Sequence, residues 1–334
     1  MTVEIERIVT HTDFDGVVSA AVCSLGLSCE KFVFAGPVSV ARAEIPIGPA
    51  DAVCDLPYPL ECGMWFDHHP GNLEAVRLRG IDPGTIPGRF DAKPSCARVV
   101  FDHFSGAGLA MPGHLALTVA EADTIDSFAY TSVEEWRRET QGKLVDMGLK
   151  AKADSFGDQI RFLGRLVLLV RDLPLDEIAR DPEVAGRIES FRSDEARMMK
   201  LIEGAVSFLP GDAAHELVVM DFSHHNRQPR IQRNLAYLLH PGALGALTIN
   251  SSFAGGRKTN GLSFTLSLSM NLTGRDHGKD AGEIMRSLDL GDGHAGAAAG
   301  RVDCSSKQEM LRAKERILAE IWRMWSEMPV GGGG

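Results

Sequence analysis

The sequence has no surplus of basic residues. It contains 35 lysines and arginines against 45 aspartates and glutamates in 334 residues, which gives a net charge of −10. Proteins that coat long nucleic acids usually carry excess positive charge, because phosphate contacts supply most of their affinity. We therefore expect any nucleic-acid ligand of this chain to be short, or to bind in a local basic pocket.

Signals for disulfides, secretion and membrane insertion are also missing. The six cysteines include no CxxC pair, which is typical of reduced thiols in a cytosolic protein. Asp13 and Asp15 interrupt the first apolar segment before it reaches signal-peptide length. The most apolar later stretch, residues 162–175, carries charged residues and is too short to span a bilayer. We expect a soluble, cytoplasmic protein with no membrane partner.

The spacing of apolar runs predicts an α/β protein. Short β-branched or apolar runs precede polar turns at residues 5–10, 31–35, 52–54 and 64–66. Strands that alternate with helices favour a parallel sheet with helices on both faces. The chain is long enough for about two domains.

A change of pattern near Pro210 divides the sequence. Apolar residues at helical spacing after Pro182 predict a long connecting helix. Beyond Pro210 we expect strands, a hairpin and two helices, which form a smaller α+β domain. We assign residues 1–180 to the first domain, 181–210 to a helical linker and 211–330 to the second domain. The glycines 331–334 are interpreted as a flexible tail.

Acidic and histidine residues follow the predicted strands and one helix. They are His11, Asp13, Asp15, Asp55, Asp67, His68, His69 and Asp123. In parallel sheets, ligands bind at the carboxyl ends of the strands. Clustered carboxylates repel one another and take up protons unless cations neutralise them. Carboxylate and imidazole ligands suit Mn²⁺ and related ions, and a pair of such ions ~3.5–4 Å apart performs in-line phosphoryl chemistry.

Each of these segments alone also has an ordinary structural interpretation. The Asp-Phe-Asp-Gly segment is typical of an Asx turn that caps a helix, and a single aspartate such as Asp55 often caps one too. A His-His pair is usually surface or core. Their joint occurrence, in order and at the ends of elements, favours a metal centre.

The ordered set resembles the four motifs of the DHH phosphoesterase superfamily, in which the third motif is Asp67-His68-His69. Residues 291–300, Gly-Asp-Gly-His-Ala-Gly-Ala-Ala-Ala-Gly, resemble the Gly-rich signature of the companion DHHA1 domain. The size is similar to the compact nanoRNase and pAp phosphatase group, and the histidine before the first aspartate is similar to RecJ-type exonucleases. The resemblance implies a DHH catalytic domain over 1–180 and a DHHA1 substrate-binding domain over 211–330.

The resemblance also implies roles for the acidic and histidine residues. It implies two Mn²⁺ ions, with Mg²⁺ or Co²⁺ as alternatives. The implied metal ligands are His11, Asp13, Asp15, Asp55, Asp67, His68 and Asp123. In this scheme Asp55 bridges the two ions and Asp123 completes the site. His69 contacts the phosphate, so His69 and Asp55 are the implied catalytic residues.

The Gly-rich segment is the implied substrate loop. Glycine lets backbone N–H groups approach an anion, and we expect the loop to open a short Ala-rich helix whose N-terminus attracts phosphate. The expected contacts are Gly291, Gly293, His294 and Ala295, together with Arg275 and Arg257. Asp292 replaces a glycine of the family pattern, and residues 266–271 lack the arginine that relatives carry, so both features bear on substrate choice.

A second histidine-containing segment lies in the second domain. Residues 221–226 contain an aspartate and two histidines, and Arg227, Arg230 and Arg233 follow at three-residue spacing. We interpret the segment as a loop or substrate contact rather than a third metal site.

The expected function is hydrolysis of short RNA or DNA oligonucleotides, or of small nucleotides such as pAp or cyclic or linear dinucleotides, by a hydroxide that two metal ions activate. One alternative is a pyrophosphatase or exopolyphosphatase. Another is a catalytically silent nucleotide-binding protein. An exposed edge strand could also support a homodimer.

Overall fold

A computed structural model gives the structure of the protein and describes residues 4–330. The glycines 331–334 lie outside the described residues. The chain forms two compact units. The first holds the chain up to Ala129 together with Glu139–Arg192, and the second holds Tyr130–Arg138 together with the chain from Ser193 onward. The division falls inside the helix Pro182–Ala205, within the segment assigned to the linker.

Helices dominate the first two thirds of the chain. Within the described residues they are α1 Phe14–Leu27, α2 Pro37–Ala41, α3 Pro70–Leu78, α4 Cys96–Gly106, α5 Gly113–Asp126, α6 Val133–Arg137, α7 Gln141–Lys150, α8 Phe156–Asp172, α9 Leu175–Arg180 and α10 Pro182–Ala205. Several begin at a side chain that accepts a backbone N–H, as Asp13, Ser95 and Ser155 do. Such caps satisfy N–H groups that have no partner within the helix.

The first unit is built on a parallel sheet. Its strands are β1 Arg7–Thr10, β2 Phe32–Phe34, β3 Asp51–Cys54, β4 Met64–Asp67 and β5 Gly88–Phe90, in the order β2-β1-β3-β4-β5. Neighbouring side chains alternate between two cores: Ile8 joins the cluster with α1, α4, α5 and α8, whereas Val9 joins the cluster with α2 and α3. The predicted parallel sheet with helices on both faces is confirmed.

The second unit has a mixed sheet. Its strands are β6 Val206–Ser207, β7 Leu217–Asp221, β8 Gly245–Ala254, β9 Arg257–Leu268, β10 Gly291–His294 and β11 Ala297–Asp303, in the order β10-β11-β9-β8-β7-β6. Its later helices are α11 Ala236–Leu239, α12 Ala281–Ser287 and α13 Lys307–Glu327. Helices α12 and α13 pack on one face of this sheet through Ile284, Ile321 and Trp325. The predicted α+β character of this part of the chain is confirmed.

The Gly-rich segment differs from the sequence prediction. We expected a loop opening an Ala-rich helix, but residues 291–303 form the hairpin β10–β11, and β11 pairs with β9 from Ala297↔Ser267 to Asp303↔Gly261. Pairing along seven residues with a neighbouring strand outweighs the modest helix preference of a few alanines.

The helices of residues 4–330 include none that combines the length and the apolar character needed to cross a lipid bilayer.

Candidate metal centre

Three adjacent strands bring the predicted site residues together. Strands β1, β3 and β4 are neighbours and parallel, so their carboxyl ends lie at one edge of the sheet. The loop after β1 is tight: a Cβ at Gly16 would lie 2.5 Å from the carbonyl oxygen of His11. Glycine therefore lets α1 start directly against the loop that carries His11 and Asp13.

The first group of donors is His11, Asp13 and Asp55. His11 Nδ1 lies 2.7 Å from Asp13 Oδ2 and 3.6 Å from Asp55 Oδ2. Asp13 uses its other oxygen to accept the N–H of Gly16 at 2.9 Å, so the same side chain caps α1. The helix-capping and the ligand interpretations of this motif are therefore compatible, because each uses a different oxygen.

The second group is Asp15, His68 and Asp126. His68 Nε2 lies 3.3 Å from Asp126 Oδ2 and 3.7 Å from both Asp15 Oδ2 and Asp55 Oδ1. His68 Nδ1 is 3.0 Å from the carbonyl oxygen of Lys93, which can only accept a hydrogen bond. Nδ1 must therefore carry a proton, and in the neutral ring the lone pair of Nε2 faces the three carboxylates.

Asp67 holds the two histidines in position. Its Oδ1 accepts the backbone N–H of His68 at 2.8 Å and lies 2.8 Å from Nδ1 of His69. Its Oδ2 accepts from Asn72 at 2.7 Å. Asp67 was predicted to be a metal ligand, and it lies in a third donor group with Asp55 and both histidines. Its oxygens are already engaged, so the geometry gives it chiefly a positioning role, with Nε2 of half-exposed His69 left to face a ligand.

The electrostatics of the cluster reflect crowded carboxylates. Burial, followed by the charges of Asp55 and Asp126, raises the pKa of Asp15 well above its usual value. Burial, followed by the charge of Asp13, does the same to the pKa of Asp55. The carboxyl of Asp126 also has a raised pKa, chiefly from burial. Without cations this site favours protonated acids, as expected for carboxyl groups forced together.

Two buried atoms make the case for divalent cations. Asp55 Oδ2 and His68 Nε2 are both buried and have no hydrogen-bond partner. An unsatisfied buried polar atom is costly, and these two belong to neighbouring donor groups, with His68 Nε2 3.7 Å from Asp55 Oδ1. The donor set of carboxylates and imidazoles fits Mn²⁺ and similar ions. The first group would hold one ion, the second group another, and Asp55 is placed between them.

Asp126 lies among the possible metal donors, although the sequence pattern did not single it out. We predicted Asp123 as the acid that completes the centre, but Asp123 accepts from Ser95 at 2.7 Å and from two nitrogens of Arg98, the shorter also at 2.7 Å. Among the described residues, the donor groups contain Asp126 instead. The two acids lie three residues apart on α5, slightly less than one helical turn, so their side chains leave the helix in different directions and reach different partners.

Asp123 acts on the centre indirectly. Ser95 caps α4, and the first N–H groups of α4, from Cys96 and Ala97, donate to Asp15 at 2.7 and 2.8 Å. The bonds from Asp123 to Ser95 and Arg98 therefore fix the helix end that orients Asp15. The N-terminus of a helix also favours a negative charge, which partly offsets the burial of this carboxylate.

The predicted substrate residues lie in the second unit. His294 Nδ1 accepts the N–H of Gly296 at 3.1 Å, which leaves a protonated Nε2 on an exposed ring. A Cβ at Gly291 or Gly293 would come within 2.5 Å of the backbone of β11, so glycine serves strand pairing here. Ala295 is exposed at the turn, and its carbonyl accepts the N–H of Ala281 at 2.8 Å.

The charged residues near this hairpin bear on which of the predicted substrate contacts can act together. The charge of Asp292 is paired with Arg286 at 2.8 Å, so it does not stand alone beside an anion. Arg275 is exposed and follows the end of β9 that pairs with the hairpin. Arg257 begins β9, ten residues from Ser267 and thus roughly 33 Å along the strand from the His294 turn. The structure therefore does not bring Arg257 and His294 to one phosphate.

Replacing Asp55 by asparagine tests the cation requirement. Asp55 has a left-handed backbone, with φ of 57°, and asparagine tolerates that conformation. Without metal, we expect Asp55→Asn to raise stability at pH 7 by on the order of 1–3 kcal/mol, because a buried charge is removed. The gain should shrink toward pH 4, since a carboxyl with a raised folded pKa costs stability only above its unfolded pKa near 3.9.

With Mn²⁺ present, we expect the parent chain to be more stable than Asp55→Asn, the reverse of the order without metal. At 100 times its dissociation constant, a ligand of the native state adds about 2.7 kcal/mol, and only the parent chain should gain it in full. Thermal unfolding with and without Mn²⁺ measures both effects. Asp154→Asn, at an exposed acid of the first unit, is the matched control. Equal stabilisation of the parent and Asp55→Asn would contradict the proposed donor groups.

Asp126→Asn and Asp123→Asn distinguish a ligand from a positioning residue. We expect Asp126→Asn to lower the number of bound Mn²⁺ ions from two to one, measured by equilibrium dialysis. We expect Asp123→Asn to keep both ions but to lose about 1.5–3 kcal/mol of stability, because Arg98 loses a charged hydrogen bond. If Asp123→Asn loses an ion and Asp126→Asn does not, the sequence-based assignment is right and the structural one is wrong.

Of the comparisons with known proteins, the one with solved structures finds similar folds. The sequence matches no family model, and no curated protein matches it. Among solved structures, the chain resembles the pGpG-specific phosphodiesterase PggH from Vibrio cholerae, with 22% identity, coverage of 95% of this chain and 99% of that one, and a TM-score of 0.73.

Two further structures are similar. RecJ from Thermus thermophilus in complex with Mn²⁺ has 16% identity and a TM-score of 0.53, and the match covers 98% of this chain but only 53% of RecJ. The DHH domain of a protein from a family of ribosomal proteins has 11% identity and a TM-score of 0.55, with 94% of this chain and 87% of that one covered. The predicted resemblance is thus confirmed at the level of the fold: the structures that this chain resembles are DHH-family proteins.

Proposed function

We propose that this chain is a metal-dependent phosphoesterase that uses two divalent ions, Mn²⁺ first among them, to hydrolyse short oligonucleotides or small nucleotides. The observation that carries the proposal is the pair of neighbouring donor groups, His11-Asp13-Asp55 and Asp15-His68-Asp126, with His68 Nε2 3.7 Å from Asp55 Oδ1. Asp55 Oδ2 and His68 Nε2 are both buried and lack hydrogen-bond partners. Paired metal sites of this composition are typical of enzymes that displace oxygen at phosphorus.

Two ions at this site would supply a nucleophilic hydroxide and neutralise charge on the phosphoryl group. The chain's own residues prepare the site. Asp13 and Asp15 are fixed by backbone N–H groups, and the Nδ1–H of His68 is fixed by the carbonyl of Lys93, so little reorganisation is needed when a substrate binds. A protein side chain that attacks phosphorus is not required.

His69 is the proposed side-chain contact to the substrate. The hydrogen bond from Nδ1 of His69 to Asp67 raises the pKa of this histidine and orients its ring. Its Nε2 can donate to a phosphoryl oxygen that gains charge during the reaction. Asp67 thus acts through His69, in the manner of carboxylates that orient ligand histidines.

Charge and one similar protein support the proposed class of substrate. PggH, which this chain resembles over nearly the full length of both, is a pGpG-specific phosphodiesterase, so linear dinucleotides lead the candidates. A net charge of −10 disfavours long nucleic acids at the metal centre, since the first unit carries most of the acids. Arg275 and the exposed Nε2 of His294 are proposed contacts for the nucleotide in the second unit. A cytoplasmic location and a homodimer remain predictions.

A substrate panel with Mn²⁺ tests the proposal. We expect release of mononucleotides from pGpG and from RNAs of two to five nucleotides, with slower turnover of pAp and none of pyrophosphate, as read by product chromatography. His69→Gln should lower kcat by about 10²–10⁴-fold, the usual contribution of a general acid or charge-stabilising donor, with a smaller change in KM.

The controls separate the alternatives. Asp154→Asn should retain the activity of the parent chain, and Asp55→Asn should abolish it. Release of phosphate from pyrophosphate at rates above those for any nucleotide would favour the pyrophosphatase alternative. Nucleotide binding without turnover, in a protein that holds two Mn²⁺ ions, would favour a silent nucleotide-binding protein.

A further inference from the structure

A long stretch of the second unit has positive charge and no acid. Residues 222–275 contain five arginines and one lysine, and no aspartate or glutamate over 54 positions. The chain as a whole has an acidic surplus of ten charges, so this stretch stands apart from the rest. It includes the loop after β7, strands β8 and β9, and the turn between these strands.

The fold gathers part of this charge at one end of the sheet. Strands β7 and β8 are parallel, with Asp221 opposite Ile249, and β8 continues to Ala254 before turning at Gly255 and Gly256. Strand β9 returns from Arg257, next to the turn. The β8–β9 hairpin therefore projects five residues, about 16 Å, beyond the end of β7.

The loop after β7 lies against this projecting hairpin. The carbonyl of Ser223 accepts from Ser251 Oγ at 2.7 Å and from Lys258 Nζ at 2.6 Å. From α13, Lys314 Nζ reaches Asp221 at 2.8 Å and Ser223 Oγ at 3.4 Å. Two lysines from different elements thus converge on one serine, and their bonds anchor the start of the loop that leads to the exposed His224 and Arg227.

We name this region the hairpin-end surface and define it by His224, Arg227, Arg257, Lys258 and Lys314. Its positive charge is only partly compensated. Lys314 pairs with Asp221, but the hydrogen bond of Lys258 is to a neutral carbonyl, which leaves its charge available. Asp303, opposite Gly261 on β9, is paired with Arg301 at 2.7 Å. The surface is therefore a local basic site in an acidic protein.

We propose that the hairpin-end surface binds the backbone of a single-stranded oligonucleotide. Lysine and arginine groups that are not neutralised attract phosphates, and the neighbouring rings of His224 and His225, 4.2 Å apart, offer faces on which bases stack. Among residues 4–330, none of the large apolar side chains that are strongly exposed lies between 222 and 275, so this stretch offers no anchor for a membrane.

This surface is distinct from the Gly-rich hairpin. Lys258 and Ser267 are nine residues apart on β9, and Ser267 pairs with Ala297 beside His294, so the two regions lie roughly 30 Å apart along the strand. A dinucleotide cannot reach both. The class of ligand, an oligonucleotide, rests on the proposed function. The new claim is that strands longer than a dinucleotide gain affinity from a second contact, at the hairpin-end surface.

Binding without catalysis tests the inference. Fluorescence anisotropy with a labelled 12-nucleotide RNA, in EDTA and at several salt concentrations, compares the parent chain with Arg227→Gln/Lys258→Gln. Glutamine at position 258 retains a side-chain N–H donor. We expect affinity for the 12-mer to fall about tenfold or more, and the slope of log K against log salt to fall by about 1.4, or about 0.7 for each phosphate that is no longer neutralised.

The control variant also loses two positive charges from the second unit. Arg197→Gln/Arg323→Gln removes two arginines of the second unit that pair with acids on α10 and α13. We expect this variant to bind the 12-mer within about threefold of the parent, because neutralised cations add little to phosphate binding. Thermal unfolding confirms that both variants are folded.

The outcomes decide between ligands and do not depend on turnover. Equal losses of affinity in the two variants, or an unchanged slope in Arg227→Gln/Lys258→Gln, would overturn the inference. Binding of phosphatidylserine vesicles but not of the RNA would assign the surface to a membrane and overturn it as well. Because metal is absent, a failure of hydrolysis in the substrate panel leaves the binding result intact, and the two proposals are tested separately.

Discussion

The first unit is organised around the repulsion between buried carboxylates. The carboxyl ends of three parallel strands meet at one edge, and a helix terminus adds Asp126, so five acids and three imidazoles come together there. Burial, and after it the charges of neighbouring carboxylates, raises the pKa of Asp15, Asp55 and Asp126. Either protons or metal cations must supply the missing positive charge. The cluster is able to hold metal ions because the fold has already brought these groups together against their repulsion.

The hydrogen bonds around the cluster show where that charge is needed. Asp15 receives two N–H groups from α4, Asp67 receives donors on both oxygens, and Asp13 receives the N–H of Gly16. Asp55 Oδ2 and His68 Nε2 receive none. Backbone and side-chain donors therefore stabilise Asp13, Asp15 and Asp67, whereas Asp55 Oδ2 and His68 Nε2 have no such donor within the protein. This division favours ions held between the two donor groups over a network closed by protons alone.

The sequence was most informative where function depends on local order along the chain. Strand ends at Thr10, Cys54 and Asp67 could be read from short apolar runs, because parallel strands leave their polar residues at one edge. The choice between Asp123 and Asp126 could not be read in this way. It depends on Arg98 and Ser95, which lie 25 and 28 residues before Asp123 and form hydrogen bonds with it. Asp126 instead lies next to His68. Likewise, the alanines of residues 297–299 suggested a helix until their pairing with β9 was known.

The distribution of charge between the two units has a physical rationale. The first unit holds 17 basic and 27 acidic residues, whereas the second unit holds 18 of each. If the acidic first unit binds the proposed ions and nucleotide, its affinity for the nucleotide depends on those ions, because carboxylates repel an anion until cations neutralise them. A basic surface on a separate unit attracts the same anion without competing for those ions. If the basic residues lay among the carboxylates of the centre, they would pair with them and displace the metals. Lys258 and Arg227 lie in a stretch without acids, where their charges stay available to the proposed ligand.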